Sequence, residues 1–340
     1  MNHCLPMRSR FPAWRRHALA AVSGAALVVG AASAHAISFV AYANTSGTPG
    51  PNGDHIFWNT GAAPVQVASS HDGQRSLPHD NGSLLSSSTT VQARAFARAD
   101  MNGLHLSAQT AGSLRDAQPY RSEVFATRAN ARAGLGDSFV ITPAQSPATF
   151  LSASMTLAFS VHASLFAYAN GTPRDPQNAG TGDGRSEWRA EFVARDDTAG
   201  VELGRITVSQ SCAKFSHLAN LRCSGDLPGL YAMNVSLPSG HALSIALGGE
   251  TWSDASGGQY RGGDMLTGAL ADLAHTIAWA GITNLRDQDG RAIASFTAIS
   301  PTSSYNYVNP FASAVPEPAG AALMLAGLLG LAASRRRARR

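Results

Sequence analysis

The stretch VQARAFARAD, Val91 to Asp100, sets the expectation for the fold of this chain. Its valine and alanines fall at every second position and alternate with polar or larger side chains, a period of two that is typical of a strand with one buried face. The next residues, MNG (Met101 to Gly103), supply a turn, and LHLSAQ continues beyond them with the same alternation. The segment therefore predicts a β-hairpin.

The same pattern recurs along much of the chain. SEWRAEFVAR (Ser186 to Arg195) places Trp188 and Phe192 on one face together with alanines. GVELGRITVSQ and YAMNVSLPSGHALSIAL are similar, and the second is predicted to fold over at PSGH, residues 238–241. Turn-forming Gly, Ser, Asn and Pro recur between these stretches, as in sandwiches and barrels. We expect an all-β body with a jelly-roll-like β-sandwich fold over residues 37–314, as one large domain or two smaller ones.

Two stretches of the body depart from this pattern. Polar turn formers dominate residues 69–90, SSHDGQRSLPHDNGSLLSSSTT, which predict an extended loop or insertion. Residues 264–279, DMLTGALADLAHTIAW, fit either a short helix that later becomes extended or a strand throughout.

The N-terminal 36 residues have the three parts of a secretory signal peptide. Residues 1–17 contain four arginines and no acid, residues 18–33 are apolar, and Ala34-His35-Ala36 follows. A basic segment, an apolar segment and an A-x-A site together predict export with cleavage after Ala36.

The C-terminal stretch, residues 315–340, is VPEPAGAALMLAGLLGLAASRRRARR. Pro316, Glu317 and Pro318 precede an apolar run, Ala319–Ala333, that is shorter than the roughly 20 residues of a typical transmembrane helix. A basic cluster at the end of an apolar segment stays on the cytoplasmic side and stops transfer. The cluster consists of Arg335, Arg336, Arg337, Arg339 and Arg340.

These three parts, in this order, resemble the PEP-CTERM sorting domain of exported proteins from Gram-negative bacteria that make extracellular polysaccharide. The resemblance implies partners in the secretion machinery and in exosortase, a membrane cysteine transpeptidase that cleaves at or near Pro316-Glu317-Pro318. It also implies a precursor held in the inner membrane by a C-terminal transmembrane helix, and a product at the cell surface, in the outer envelope or in the extracellular matrix. Residues 271–308 resemble the closing hairpin of domains that precede such tails, with a β-sandwich as the implied fold and no catalytic residues.

The charge distribution argues against nucleic acid as a partner. The chain has 26 Lys and Arg against 22 Asp and Glu, but nine of the arginines lie in the two terminal segments. Without those nine and Glu317, 17 basic residues face 21 acidic ones, a net charge of −4. A mildly acidic body lacks the basic surface that phosphate backbones require.

Cysteine usage agrees with export. Cys4 lies in the signal peptide, so the exported chain retains Cys212 and Cys223. A pair of cysteines in an oxidising compartment predicts one disulfide, with two free thiols or half of a metal site as the alternatives.

Several polar clusters are candidates for binding or chemistry. His71-Asp72 and His79-Asp80 could ligate a metal, and they equally suit a solvated loop. Calcium would be held by oxygen ligands at Asp175, Asp183 and Glu187. A sugar ring would stack on Trp252, beside Asp254 and Tyr260, in the loop-like segment GGETWSDASGGQYRGGD.

The sequence thus predicts an exported, matrix-associated structural or adhesive protein with no cofactor, no assigned catalytic residue and no activity of its own. A carbohydrate-binding module of the exopolysaccharide matrix is the first alternative. A hydrolase or lyase acting on matrix polysaccharide is the second. It would require a pair of carboxylates or a His-Asp site clustered in one groove, and His71, Asp72 and His79 are the first candidates for such a site.

Overall fold

The computed structural model describes residues 37–49, 55–78, 86–144, 151–173, 181–273 and 277–311. The predicted signal peptide, with Ala34 and Ala36, and the predicted sorting tail lie outside these residues, as do the helices expected there.

The described residues confirm the all-β class, and every strand pairing between them is antiparallel. No helix within the described ranges is long and apolar enough to cross a bilayer. The strands are β1 Ser38–Thr48, β2 His55–Gly61, β3 Val65–Pro78, β4 Ser86–Asp100, β5 Gly103–Pro143, β6 Ser152–Val161, β7 Ser164–Pro173, β8 Thr181–Asp196, β9 Val201–Phe215, β10 Arg222–Gly225, β11 Gly229–Pro238, β12 Ala242–Asp272, β13 Ile277–Asp287 and β14 Phe296–Ile299.

Two very long strands organise the fold. β5 has 41 residues and β12 has 31, and they pair with each other from Ala242↔Val140 to Asp272↔Ser107. The register shifts between Gln259 and Arg261 and again between Gly263 and Met265, where the pair changes neighbours. Strands well beyond the usual 3–10 residues can take part in two sheets at once.

Each half of the β5–β12 pair belongs to a different antiparallel sheet. In sheet I, the first part of β5 pairs with β4, which pairs with β3, and the last part of β12 pairs with β7. β13 pairs with β5 at Leu104, and β6 and β11 follow β13 in the strand order. In sheet II, the rest of β5 pairs with β14 and with β1, which pairs with β2, and the rest of β12 pairs with β8, which is followed by β9 and β10. Phe125 of sheet II packs on Gly112 of sheet I, so the sheets lie face to face, consistent with a β-sandwich.

The alternating residues of the sequence form the interior. Val91 and the alanines of β4 are buried, and so are Trp188 and Phe192 of β8. Because successive side chains of a strand point to opposite faces, one face of each strand supplies the core. The predicted hairpin of β4 and β5, with its turn at residues 101–102, is confirmed.

The interior is packed differently at its two ends. At the aromatic end, rings stack or tilt against one another at centroid distances of 4.6–6.0 Å. These rings belong to Phe139, Phe159, Phe192, Trp279 and Tyr307. At the glycine end, glycines of one sheet meet backbone or side chains of the other. These glycines are Gly112, Gly182, Gly184 and Gly257.

The loop expected at residues 69–90 is corrected by the structure. β3 runs through Pro78 and β4 begins at Ser86, and the two strands pair from Val65↔Ala99 to Pro78↔Ser86. The inner face of β3 carries Ser69, His71 and Gly73, and the chain that follows β1 comes closest to it at Gly73. A Cβ placed on Gly73 would lie 1.6 Å from the carbonyl oxygen of Pro49.

The structure also decides an open alternative at residues 264–279 and corrects the pairing expected around residues 238–241. Residues 264–272 continue β12 as a strand, and β13 begins at Ile277, so no short helix forms in the described part of 264–279. The turn at residues 238–241 is present, with the His241 N–H donating to Pro238 O at 3.3 Å. The strands on either side do not pair with each other, because β11 joins β6 whereas β12 joins β5 and β8.

Candidate functional site

Trp252 and Asp254 lie in the middle of β12 and not in a loop. The Gly and Ser residues that suggested a loop instead allow close packing between the sheets. A Cβ on Gly257 would lie 2.7 Å from both Met265 and Phe125. The side chain of Tyr260 lies outside the described part of the structure.

The outward face of sheet II carries two rows of aromatic, amide and charged residues, which we call the outer array. The rows cross β2, β1, β5, β12 and β8 in that order. One row is Ile56, Asn44, Asn130, Trp252 and Glu187, and the other is Trp58, Tyr42, Arg132, Glu250 and Arg189.

The centre of the outer array is held by hydrogen bonds. Arg132 forms an ion pair with Glu250 at 2.7 Å, and its guanidinium lies 5.9 Å from the centroid of the Tyr42 ring. The amide of Asn130 donates to Glu250 Oε1 at 2.9 Å and to Thr251 O at 3.0 Å. Cross-strand pairs of this kind stabilise a sheet by a few tenths of a kcal/mol to about 1 kcal/mol each.

Trp252 is covered within this array. The Arg128 guanidinium lies 5.6 Å from its ring centroid and forms an ion pair with Asp254 at 2.7 Å. Its indole Nε1 is buried and has no hydrogen-bond partner among the described residues. Trp252 and Asp254 are thus brought together, with the arginine over the face on which a sugar would stack.

Glu187 is the neighbour of Trp252 on β8 and is electrostatically perturbed. Burial raises the pKa of its carboxyl group above the usual range, and the nearby carboxylates of Glu250 and Asp254 raise it further, against the opposing effect of Arg189. A carboxyl group in this environment binds its proton more tightly than an exposed glutamate does.

The calcium candidates are not brought together. Asp175 lies outside the described residues, while Asp183 and Glu187 are four residues apart on one face of β8, or about 13 Å at 3.3 Å per residue. Calcium holds its ligands at about 2.3–2.6 Å, so one ion cannot bind both carboxylates. Asp183 instead accepts hydrogen bonds from Arg185 and Ser256. The described residues contain no group of three or more potential metal ligands.

The residues of the first His-Asp pair point in opposite directions. His71 faces the interior of the sandwich, where it is 2% exposed and packs against Gly47. Asp72 points outward and forms a bidentate pair with Arg94 at 2.9 Å. His79 and Asp80 lie outside the described residues.

The predicted disulfide is present. Cys212 of β9 and Cys223 of β10 are bonded, and they face each other directly in the strand register. The bond ties the four-residue edge strand β10 to the rest of sheet II.

A buried carboxylate that the sequence did not predict, Asp137, holds the C-terminal segment of the described chain. Ser300, Ser303 and Tyr307 donate hydroxyl hydrogen bonds to it at 2.9, 2.7 and 2.7 Å, and the N–H of Ser138 donates at 2.8 Å. We call this arrangement the Asp137 latch. No local signal marked it, because its partners are 163–170 residues away in sequence.

Sequence analysis also missed the exposed apolar residues of β2. Ile56, Phe57 and Trp58 are 52%, 51% and 72% exposed. The uncharged run HIFWNTG was the available signal, since three consecutive large apolar residues do not follow the alternation of a half-buried strand.

The described body ends close to the predicted sorting motif. Phe311 is 3% exposed, and its N–H donates to Trp279 O at 2.9 Å. Pro316 follows after residues 312–315. Comparisons with protein-family models, with curated proteins and with solved structures gave no match for this chain.

Proposed function

We propose that the chain is an exported structural or adhesive protein of the cell surface or extracellular matrix, sorted by exosortase through residues 315–340. The observation that carries this proposal is the ordered tail of Pro316-Glu317-Pro318, a short apolar run and five arginines, opposite a signal peptide. The signal peptide starts export, the apolar run holds the precursor in the inner membrane, and the arginines keep its end cytoplasmic.

Two features of the folded body support this proposal. A disulfide between Cys212 and Cys223 is typical of chains that fold in an oxidising compartment. The last described residue, Phe311, is buried, and residues 312–315 separate it from the Pro-Glu-Pro motif. Even fully extended, four residues span only about 14 Å, so the proposal puts the motif within that distance of the described body.

The carbohydrate-binding alternative receives less support at its predicted residue. A sugar bound at Trp252 would have to displace Arg128 from the ring and break the Arg128–Asp254 ion pair. The polysaccharide-hydrolase alternative loses its first candidate site, because His71 and Asp72 lie on opposite faces of β3.

Replacement of Glu317 by Ala tests the sorting proposal. We expect uncut precursor to accumulate in the inner membrane, because the central residue of the recognition motif is lost. The measurement is an immunoblot of membrane and extracellular fractions from producing cells, with Glu202→Ala as a matched exposed-glutamate control. Processed Glu317→Ala protein at the level of the control would contradict the proposal.

A further inference from the structure

The free edge of β2 exposes more large apolar side chains than the other sheet edges in the described part of the chain. β2 pairs with β1, and no described strand pairs with its other edge. Proteins normally protect such edges with charges, prolines or very short strands, because unpaired N–H and C=O groups recruit another strand.

The other edge strands differ from β2 in charge, length or apolar exposure. β3 contains Asp72 and Arg75, and β10 has only four residues. β7 and β11 are also uncharged, but each ends in a proline and exposes one large apolar side chain, Phe166 and Leu230, whereas β2 exposes three in a row. The seven residues of β2 include no charge and no proline, and Ile56, Phe57 and Trp58 are all more than half exposed. An uncharged, apolar and unpaired strand of this length is built to accept a partner strand.

Apolar groups lie on both faces of β2. Ile56 and Trp58 share the outward face of sheet II with Tyr42 of β1, whereas Phe57 shares the inward face with Ala43. A cleft of about 510 Å³ lies beside Phe57, lined by His55, Ser70 and Phe96 among others. A strand added to this edge would therefore cover apolar surface on both of its sides.

From these observations we infer that two copies of this chain pair through β2 in an antiparallel, two-fold symmetric arrangement centred on Trp58. A second copy fits this edge because β2 carries no charge. A charged strand would find no opposite charge there, and two copies of β2 would not repel each other. The inference is independent of the sorting proposal, since it uses only contacts of the folded body.

The centre of the pairing follows from the bounds of the strand. β2 runs from His55 to Gly61, so its midpoint is Trp58. A two-fold axis there places Trp58 opposite the partner's Trp58, Phe57 opposite the partner's Asn59, and Ile56 opposite the partner's Thr60. An isologous contact of this type closes as a dimer.

Cysteine cross-linking tests this register in the full chain, carrying Cys4→Ser so that the native Cys212–Cys223 pair is the only other cysteine pair. Residues directly opposite in an antiparallel pair have Cα atoms about 4.5–5.5 Å apart, within the range of a disulfide. We expect Trp58→Cys to form a covalent dimer on mild oxidation, seen on non-reducing gels. Thr60→Cys is the matched control and stays monomeric, because the two Thr60 positions would be about 13 Å apart.

A mixed experiment tests the orientation. Chains with Ile56→Cys and chains with Thr60→Cys, carrying tags of different size, should cross-link to each other. Adding Trp58→Lys to both chains should lower the yield of this heterodimer by about tenfold, because two ammonium groups would then face each other across the pair.

Four outcomes would overturn the inference. The first is a monomeric Trp58→Cys chain whose thiol reacts with maleimide, as expected if a polysaccharide or nothing occupies the edge. The second is equal dimer formation by Trp58→Cys and Thr60→Cys, which indicates random collision. The third is a mixed disulfide between Trp58→Cys and a different protein. The fourth is an Ile56→Cys/Thr60→Cys heterodimer whose yield is unchanged by Trp58→Lys.

Discussion

The aromatic end and the glycine end of the sandwich are built from the same alternating strands but are stabilised differently. At the aromatic end, Phe192 lies between Phe159 and Trp279 at ring-centroid distances of 5.1 and 5.7 Å. At the glycine end, a Cβ on Gly184 would lie 2.3 Å from Gly268 O and 2.8 Å from Tyr168 O. Side-chain size thus sets the spacing of the sheets, which is about 10 Å in ordinary sandwiches and smaller where glycines meet backbone.

The buried polar group with most hydrogen bonds lies at the aromatic end, although the hydroxyl oxygen of Ser138 there has no hydrogen-bond partner among the described residues. At the aromatic end, the Asp137 carboxylate accepts four hydrogen bonds, and the Trp279 indole N–H donates to Tyr307 O at 2.8 Å. Nearer the glycine end, the hydroxyl oxygens of Ser186, Ser253 and Thr267 are buried without a hydrogen-bond partner among the described residues. An unpaired buried hydroxyl costs about 1–3 kcal/mol. The small serine and threonine side chains allow the sheets to pack closely there, but their hydroxyl groups lack hydrogen bonds.

The largest expected effect is at the aromatic end. Phe192→Ala should lower the free energy of unfolding by about 3–5 kcal/mol, because it leaves a cavity between two other rings. Phe166→Ala is the matched control, since Phe166 is 54% exposed and should lose less than about 1 kcal/mol. Urea denaturation monitored by tryptophan fluorescence measures both. Equal losses in the two variants would show that the aromatic cluster contributes no special stability.

An intermediate effect is expected at the glycine end. Gly184→Ala should destabilise by about 1–3 kcal/mol or more, because the added methyl group meets backbone that cannot rotate away. Gly229→Ala on β11 is the control, since a Cβ there meets nothing within 4 Å, and it should leave stability unchanged or raise it by up to about 1 kcal/mol. If the two variants unfold at the same urea concentration, the sheets are not in close contact at Gly184.

The smallest effect concerns pH. Burial, followed by the nearby Asp137 carboxylate, raises the pKa of Tyr307 well above the usual range. Since the folded state keeps a proton that the unfolded state loses near pH 10, the contribution of Tyr307 is present below about pH 10 and is lost as the pH rises further.

Tyr307→Phe should therefore make the unfolding free energy fall less steeply above pH 10, by up to about 1.4 kcal/mol per pH unit. Urea titrations of the wild-type chain and the variant at several pH values between 9 and 11.5 measure this slope. Parallel curves would contradict the assignment of the alkaline loss to Tyr307.

The strands with the clearest alternation were predictable from sequence, as the burial of Val91 and Trp188 shows, because the period of two depends only on local geometry. Residues 69–78 and 248–264 were not, because their Gly, Ser and His residues are turn formers by local preference. Close contact between the sheets overrides that preference, as Gly73 against Pro49 and Gly257 against Met265 illustrate. Local sequence does not encode which strand will lie opposite.

The candidate sites divide in the same way. The Cys212–Cys223 bond could be predicted by counting cysteines, whereas the cover of Arg128 over Trp252 depends on two strands 124 residues apart meeting in register. The calcium candidates were close in sequence, but an extended strand separates residues that a loop would gather. The edge at Trp58 is conspicuous only once β1 is known to be its single described neighbour.

The Asp137 latch also has a mechanical consequence. Any pull on the C-terminus reaches the described body at Phe311 and is transmitted through Trp279 and Tyr307 into β5, the longest strand of the molecule. β5 distributes this load over strand pairings with β1, β4, β12, β13 and β14. A force applied at Phe311 would thus be shared by strands of both sheets, and residues 300–311 would be the segment through which it enters the fold.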